Sequence, residues 1–320
     1  MAEAISFAQV PAESTKWVNL EGSDVGVTSP PAGESLIEIT DIIGNLDDFH
    51  GSHQVHDVVN FGRAFAGLIG KFRDPANFYQ DRANLPEKGV IILADHYSDA
   101  ALVVSAIDKL ARRVIDDSSL YADVGFCQDY FDAAENGYDL MAKYLPRFDT
   151  GRAEGLPISL VRAGMVTTRL ALGLDKNAVI DDEVRVVTKR FHAKGETDTE
   201  LMVSVKWEDL DDIKKLGGNV MMADFVNPAS GASALAWLLS AHARGVLPKT
   251  LIHKSIMATE QGIAFSRQLM ESGALGDKID SLFYTLGTSN TLSGNYYLEN
   301  PAVADAGHVL RHFLPDWYKQ

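Results

Sequence analysis

Residues 223–239 read ADFVNPASGASALAWLL: the acid Asp224 closes an apolar run, a loop ending in five small residues (Ala229, Ser230, Gly231, Ala232 and Ser233) follows, and an apolar helical pattern opens. Side chains that small let backbone N–H groups approach a bound anion, and a helix N-terminus attracts one. The hydroxyls of Ser230 and Ser233 add donors. The chemistry that fits is a phosphate held against the main chain with a carboxylate beside it. There is no Gly-Lys-Ser/Thr of a Walker loop and no G-x-G-x-x-G, and a tight strand-to-helix turn with Ser233 as N-cap is the other reading of the same residues. A second group, His50, His53 and His56 in LDDFHGSHQVHD, contains ligand types suited to zinc or iron. Neither helical nor strand spacing aims all three one way, so polar loop histidines are expected.

For the small loop to serve a ligand it must join a strand to a helix. After Ser233 the spacing puts Leu235, Leu238, Leu239 and His242 on one face, with Gly245 placed as the stop. Short apolar strands are expected at PISLV, VRVV, MVSV, NVMMA, TLIHKSIMA and SLFYT, separated by turns or helical patterns from residue 156 onward. Such alternation gives an α/β fold with a mostly parallel twisted sheet flanked by helices. Upstream, KGVIILADHYSDAALVVSAIDKLARRVI predicts a buried strand over 89–94 and an amphipathic helix from Ser98 or Asp99. The expected organisation is a turn-rich arm over 1–35, a largely helical N-terminal elaboration over 36–150, and a core over 151–320 continuous with it from about residue 36.

Composition narrows the partners. A formal net charge of −15 argues against nucleic acid, whose binding draws on clustered Lys and Arg, while leaving room for a small phosphorylated ligand. No apolar run approaches the ~18 residues of a membrane span. The start MAEAISFAQVPAEST lacks the basic and apolar regions of a secretory signal, and Cys127 is the single cysteine, so no disulfide forms within the chain and a cytoplasmic setting is expected.

The strand ending in Asp224 and its loop resemble the phosphoribosyl-pyrophosphate (PRPP) loop of type I phosphoribosyltransferases, in particular the uracil phosphoribosyltransferases, which carry Asp-Pro-Met-Leu-Ala-Thr-Gly-Gly-Ser there. Four more stretches fall in that family's order. SLVRAGMVTTRLALGL (159–174) is similar to its Leu-Arg-Ala-Gly strand-to-helix turn, and VTKRF (187–191) to its basic mobile segment. IMATEQGIAFSRQL (256–269) is similar to the strand and turn after the PRPP helix, and PAVADAG (301–307) to the C-terminal Pro-Gly-Leu-Gly-Asp-Ala-Gly. The resemblance covers roughly residues 156–312.

It implies transfer of a 5-phosphoribosyl group from PRPP to a small heterocyclic acceptor, with Mg²⁺, release of pyrophosphate, and a homodimer. By this match the amides of Ala229–Ser233 take the 5′-phosphate and Asp224 accepts from the ribose hydroxyls. Arg162 forks onto the pyrophosphate after a tight turn at Gly164, Lys189 and Arg190 lie on a loop that closes over it, and Asp305 helps hold magnesium. Departures cluster in the acceptor loop: Ala302 and Ala304 stand for glycines, Glu299 and Asn300 intervene before Pro301, and His308-Val309 replaces Asp-Arg. Uracil is therefore not the expected acceptor, and Tyr284, Tyr296 and Tyr297 are candidates to offer a ring or hydroxyl to another heterocycle, with core packing expected for at least one. Two rivals remain: a PRPP- or nucleotide-binding regulator without turnover, and an unrelated nucleotide-binding enzyme built on the strand and helix of 89–115.

Overall fold

In the computed structural model the described residues are 15–20, 22–29, 57–62, 89–148, 154–161, 163–194, 199–209, 211–226, 231–275, 279–288 and 309–318. In chain order the strands and helices are β1 (Thr15–Leu20), β2 (Ser23–Thr28), β3 (Asp57–Gly62), β4 (Val90–Ile92), α1 (Ser98–Asp116), α2 (Val124–Tyr144), β5 (Leu156–Val161), α3 (Ala163–Ala171), β6 (Val184–Lys194), β7 (Thr199–Trp207), β8 (Asn219–Val226), α4 (Ala232–Ala243), β9 (Thr250–Ala258), α5 (Glu260–Glu271) and β10 (Asp280–Thr288).

All ten strands join one sheet in the order β1-β2-β3-β7-β6-β5-β8-β9-β10-β4. From β6 to β4 every pairing is parallel, five in all, and the remaining four, from β1 through β7 to β6, are antiparallel. β6 is the junction: Val184–Val187 run parallel to β5 and Val186–Lys194 antiparallel to β7. Each strand expected from residue 156 onward is present, and the helix expected near Ser98 begins there.

Residues 15–28, expected as part of a loosely packed arm, instead form a hairpin in the sheet. Trp17 lies across Gly26, and Val18, Leu20, Val25 and Val27 are buried. The period-two alternation that drives this is short and interrupted by Gly22, so the turn residues mask it. The described N-terminal half thus supplies three antiparallel strands as well as the long helices α1 and α2.

Strand alternation divides the core between the two faces. Val220 and Met222 of β8 and Leu251 of β9 pack with α4 and α5 residues such as Leu235, Trp237 and Phe265. Met221 and Ile252 point the other way, toward Ile107 of α1, Met141 of α2 and Val166 of α3. Helices therefore cover both faces, as a parallel sheet requires. Among the described residues no helix is long and apolar enough to cross a membrane.

Candidate functional site

Ligands of open α/β sheets bind beyond the carboxyl ends of the strands. At that edge β8 ends at Val226, and Gly231 opens α4 as its N-cap with φ 67° and ψ 4°. Gly231 supplies no side chain to the first turn, and the helix ladder starts with Leu235 N–H donating to the Gly231 carbonyl at 2.8 Å. Ala232 and Ala234 are buried while Ser233 is half-buried, so the serine is the partly open position of the first turn. It is not the N-cap.

The glycine has a more inward reason than the sequence implies. A Cβ at 231 would stand 2.9 Å and 3.0 Å from Phe265 ring carbons of α5, so the missing side chain admits this helix packing.

Asp224 lies two residues beyond Met222 and shares its face of the sheet. Its side chain keeps 14% exposure, and Oδ2 is 2.8 Å from Nε2 of His253 on β9, itself 2% exposed. The parallel register sets His253 opposite Met222 and Ser255 opposite Asp224, which makes the His–Asp contact a diagonal one. The His253 ring packs 5.0 Å from that of Phe283. From the opposite face, the Tyr138 hydroxyl of α2 donates to the Asp224 carbonyl at 2.8 Å, and the Thr167 hydroxyl of α3 donates to the Ala223 carbonyl at 2.8 Å. Burial, with the Asp224 charge second, pushes the Tyr138 phenol well above its ordinary range, so it stays a donor. Asp224 is thus held by its side chain on one face and its main chain on the other.

β5 runs parallel beside β8, and its end at Val161 leads to α3 at Ala163 on the same edge. Below this turn lies a buried polar network. The fully buried Arg169 forks onto Glu183 through two 2.9 Å bonds and donates to the carbonyls of Met165 and Ala178, while Ser159 donates to Glu183 at 2.6 Å. Trp317 covers it, with its ring 5.3 Å from the Arg169 guanidinium and its indole N–H donating to the Asn177 carbonyl. The far end of α4 is pinned as well. Buried Asp57 of β3 accepts from Ser240 and from both Nε and Nη2 of Arg244, and Lys16 of β1 donates to the Ala243 carbonyl.

The structure brings together Asp224, Gly231, Ala232 and Ser233 around one strand-loop-helix unit. Arg162, Ala229, Ser230, Tyr296, Tyr297, Ala302, Ala304 and Asp305 lie outside the described residues, as do His50, His53 and His56. Three expectations change. Lys189 and Arg190 are on strand β6, opposite Ser204 and Val203 of β7, rather than on a loop, because the run VRVVTKRFHAK has the composition to pair along its length. Gly164 sits in the first turn of α3 without a left-handed backbone, and a Cβ there would meet only ordinary contact at 3.4 Å, so it is not what makes the turn. Tyr284 is 4% exposed, between Ile91 and Lys254 in the sheet, and packs in the core.

His253, Tyr138 and Thr167 were not singled out from the sequence. The one available signal for His253 was an ionisable residue, next to Lys254, within the strand pattern TLIHKSIMA, and only strand pairing places it beside Asp224. Magnesium needs one or two carboxylates together with substrate oxygens. Among the described residues no three His, Cys, Asp or Glu side chains converge as a metal site, and Asp224 has Oδ2 already engaged.

No family model matches the chain, and no curated protein does. Nine solved chains match. One is the adenine phosphoribosyltransferase of Trypanosoma brucei, crystallised with AMP, pyrophosphate and ribose-5-phosphate; the match has a TM-score of 0.31 and 11% identity, over 59% of this chain and 80% of that one. A likeness at that level is a weak one.

Proposed function

We propose that this chain binds PRPP and transfers its 5-phosphoribosyl group to a small heterocycle other than uracil, releasing pyrophosphate. The observation that carries the reading is Asp224: a carboxylate two residues from the carboxyl end of β8 in the parallel part of the sheet, Oδ2 engaged by His253, in the strand that leads into α4. Two ribose hydroxyls are the donors such a carboxylate suits. The amides of 229–233 would receive the 5′-phosphate at the helix N-terminus, Arg162 the pyrophosphate, and the segment containing Tyr297, Ala302 and Ala304 the acceptor. Magnesium, carried by pyrophosphate oxygens with Asp305, would supply charge neutralisation.

In the transfer, the bond from the anomeric carbon to the pyrophosphate oxygen breaks and a bond to the heterocycle forms, through an oxocarbenium-like transition state. The protein's part is to align the two partners and fix donors on the departing charge. A PRPP-binding regulator is the second reading, and the pairing of Lys189 and Arg190 into a strand favours it, since a closing loop was the device expected to cover the leaving group.

Calorimetric titration with PRPP and Mg²⁺ tests the binding, and pyrophosphate release on screening heterocycles separates enzyme from regulator. Asp224→Asn should weaken PRPP by about 10- to 100-fold, the loss of charge-assisted hydrogen bonds. A wild-type protein that does not bind PRPP would refute both readings. Efficient turnover of uracil would refute the acceptor assignment.

A further inference from the structure

We infer that His253 is the positioning residue of the site: it donates Nε2–H to Asp224 Oδ2 and so leaves Oδ1 for the ribose hydroxyls of the ligand. The inference rests on the PRPP reading of Asp224. Three observations support it.

The first is the orphaned nitrogen. His253 Nδ1 is buried with no hydrogen-bond partner. A proton there would be an N–H sealed away from any acceptor, and in that tautomer Nε2 would turn its lone pair on the carboxylate. A doubly protonated ring would carry the same unanswered N–H. The Nε2–H tautomer leaves only a lone pair unanswered at Nδ1, a smaller cost than a buried N–H without an acceptor, and it gives the carboxylate oxygen a donor.

The second is the remaining oxygen. Among the described residues Asp224 Oδ1 accepts no hydrogen bond, and the side chain is partly open while its partner is closed off. A His–Asp pair serving only the core would bury both members. Here the histidine, in register with Met222 and two residues short of Asp224, is closed off while the carboxylate keeps partial exposure.

The third is rigidity. Phe283 packs on the imidazole, and Tyr138 fixes the Asp224 carbonyl from the other face, so neither partner can turn away without unpacking a buried element. A carboxylate free to rotate would present its oxygens to the ribose in several geometries; one tied at Oδ2 presents Oδ1 in one.

The test compares ribose 5-phosphate with 2-deoxyribose 5-phosphate, which differ by one hydroxyl, and inorganic phosphate as the ligand without a sugar. Wild type should prefer ribose 5-phosphate by about tenfold or more. His253→Phe should bring that ratio close to one with phosphate affinity unchanged, whereas His253→Gln, whose amide can still donate toward Oδ2, should restore most of it. Should the Phe variant not fold, Gln and the shorter Asn are compared, and only Gln is expected to keep the preference. The ¹⁵N shifts of the wild-type imidazole should report the Nε2–H tautomer. A preference that survives in folded His253→Phe, equal ratios for Gln and Asn, or an Nδ1–H tautomer would each overturn the role of His253 alone. Wild type that fails to bind ribose 5-phosphate would overturn the reading of the site itself.

Discussion

Replacing Gly231 by alanine tests whether the start of α4 is fixed from within. Two costs arise at once. The left-handed backbone at φ 67° disfavours any Cβ by about 1–2 kcal/mol. That Cβ would also stand 2.9 Å and 3.0 Å from carbons of the Phe265 ring, which is buried and closely surrounded, and overpacking of this kind costs about 1–3 kcal/mol. Reduced freedom of the unfolded chain returns about 0.4–1 kcal/mol. The net loss is about 1–4 kcal/mol, which for a chain this long lowers the melting temperature by about 2–6 °C. Gly245, with φ 76° and nothing within 4 Å of its Cβ position, is the control: Gly245→Ala meets the backbone cost without the clash. Thermal unfolding followed by circular dichroism should therefore rank Gly231→Ala as the more destabilised of the two, and adding Phe265→Leu should recover part of the difference. Equal melting temperatures for the two single variants would show that Phe265 gives way freely and that α4 is not held by this contact.

Glu183→Ala leaves the Arg169 guanidinium buried with only backbone acceptors, and should cost about 3–5 kcal/mol in urea unfolding; a double change to apolar residues, Arg169→Met with Glu183→Leu, should recover much of it. Lys254, half-buried on the α1–α3 face of β9, has its ammonium held below its usual range by burial, with Glu154 opposing the shift. The unfolded chain then binds more protons between the depressed value and the ordinary 10.5, so this residue makes stability rise with pH across that window. Lys254→Met should raise the melting temperature at neutral pH and flatten its alkaline rise; a lower melting temperature would mean that the ammonium has a stabilising partner.

The parallel half of the sheet was legible because its strands are short apolar runs, NVMMA and TLIHKSIMA among them, with helices between. The strand-to-helix passage around Asp224 and Gly231 was legible for the same reason, although β8 runs on to Val226 and α4 is capped by Gly231 rather than Ser233. What escaped was set by pairing. The hairpin of Thr15–Thr28 reads as turns until β3 lies beside it, and β3 stays in place partly through Asp57 and its bonds to Ser240 and Arg244, residues far along the chain. Lys189 and Arg190 lie near GETD, whose turn character suggested a loop, although 188–194 pair with β7 as a strand. His253 looked like one polar residue in a core strand. Its relation to Asp224 exists only once β8 and β9 are in register, and periodicity within one strand carries no information about its neighbour.

The order of the strands also bears on how the chain is made. β3, paired with β2 on one side, meets its other partner only at Thr199–Trp207, and β4 closes the opposite edge against β10, more than half the chain later. A chain emerging from the ribosome N-terminus first therefore carries the β1–β2–β3 strip and Val90–Ile92 while the strands they join, β7 and β10, are unsynthesised. Both margins of the sheet close late, and slow folding follows from such distant pairings. Until β7 emerges, the side of β3 that will meet it is an open edge with a valine pair, Val58 and Val59, in the strand, the sort of surface that a chaperone shields and that invites pairing with other chains.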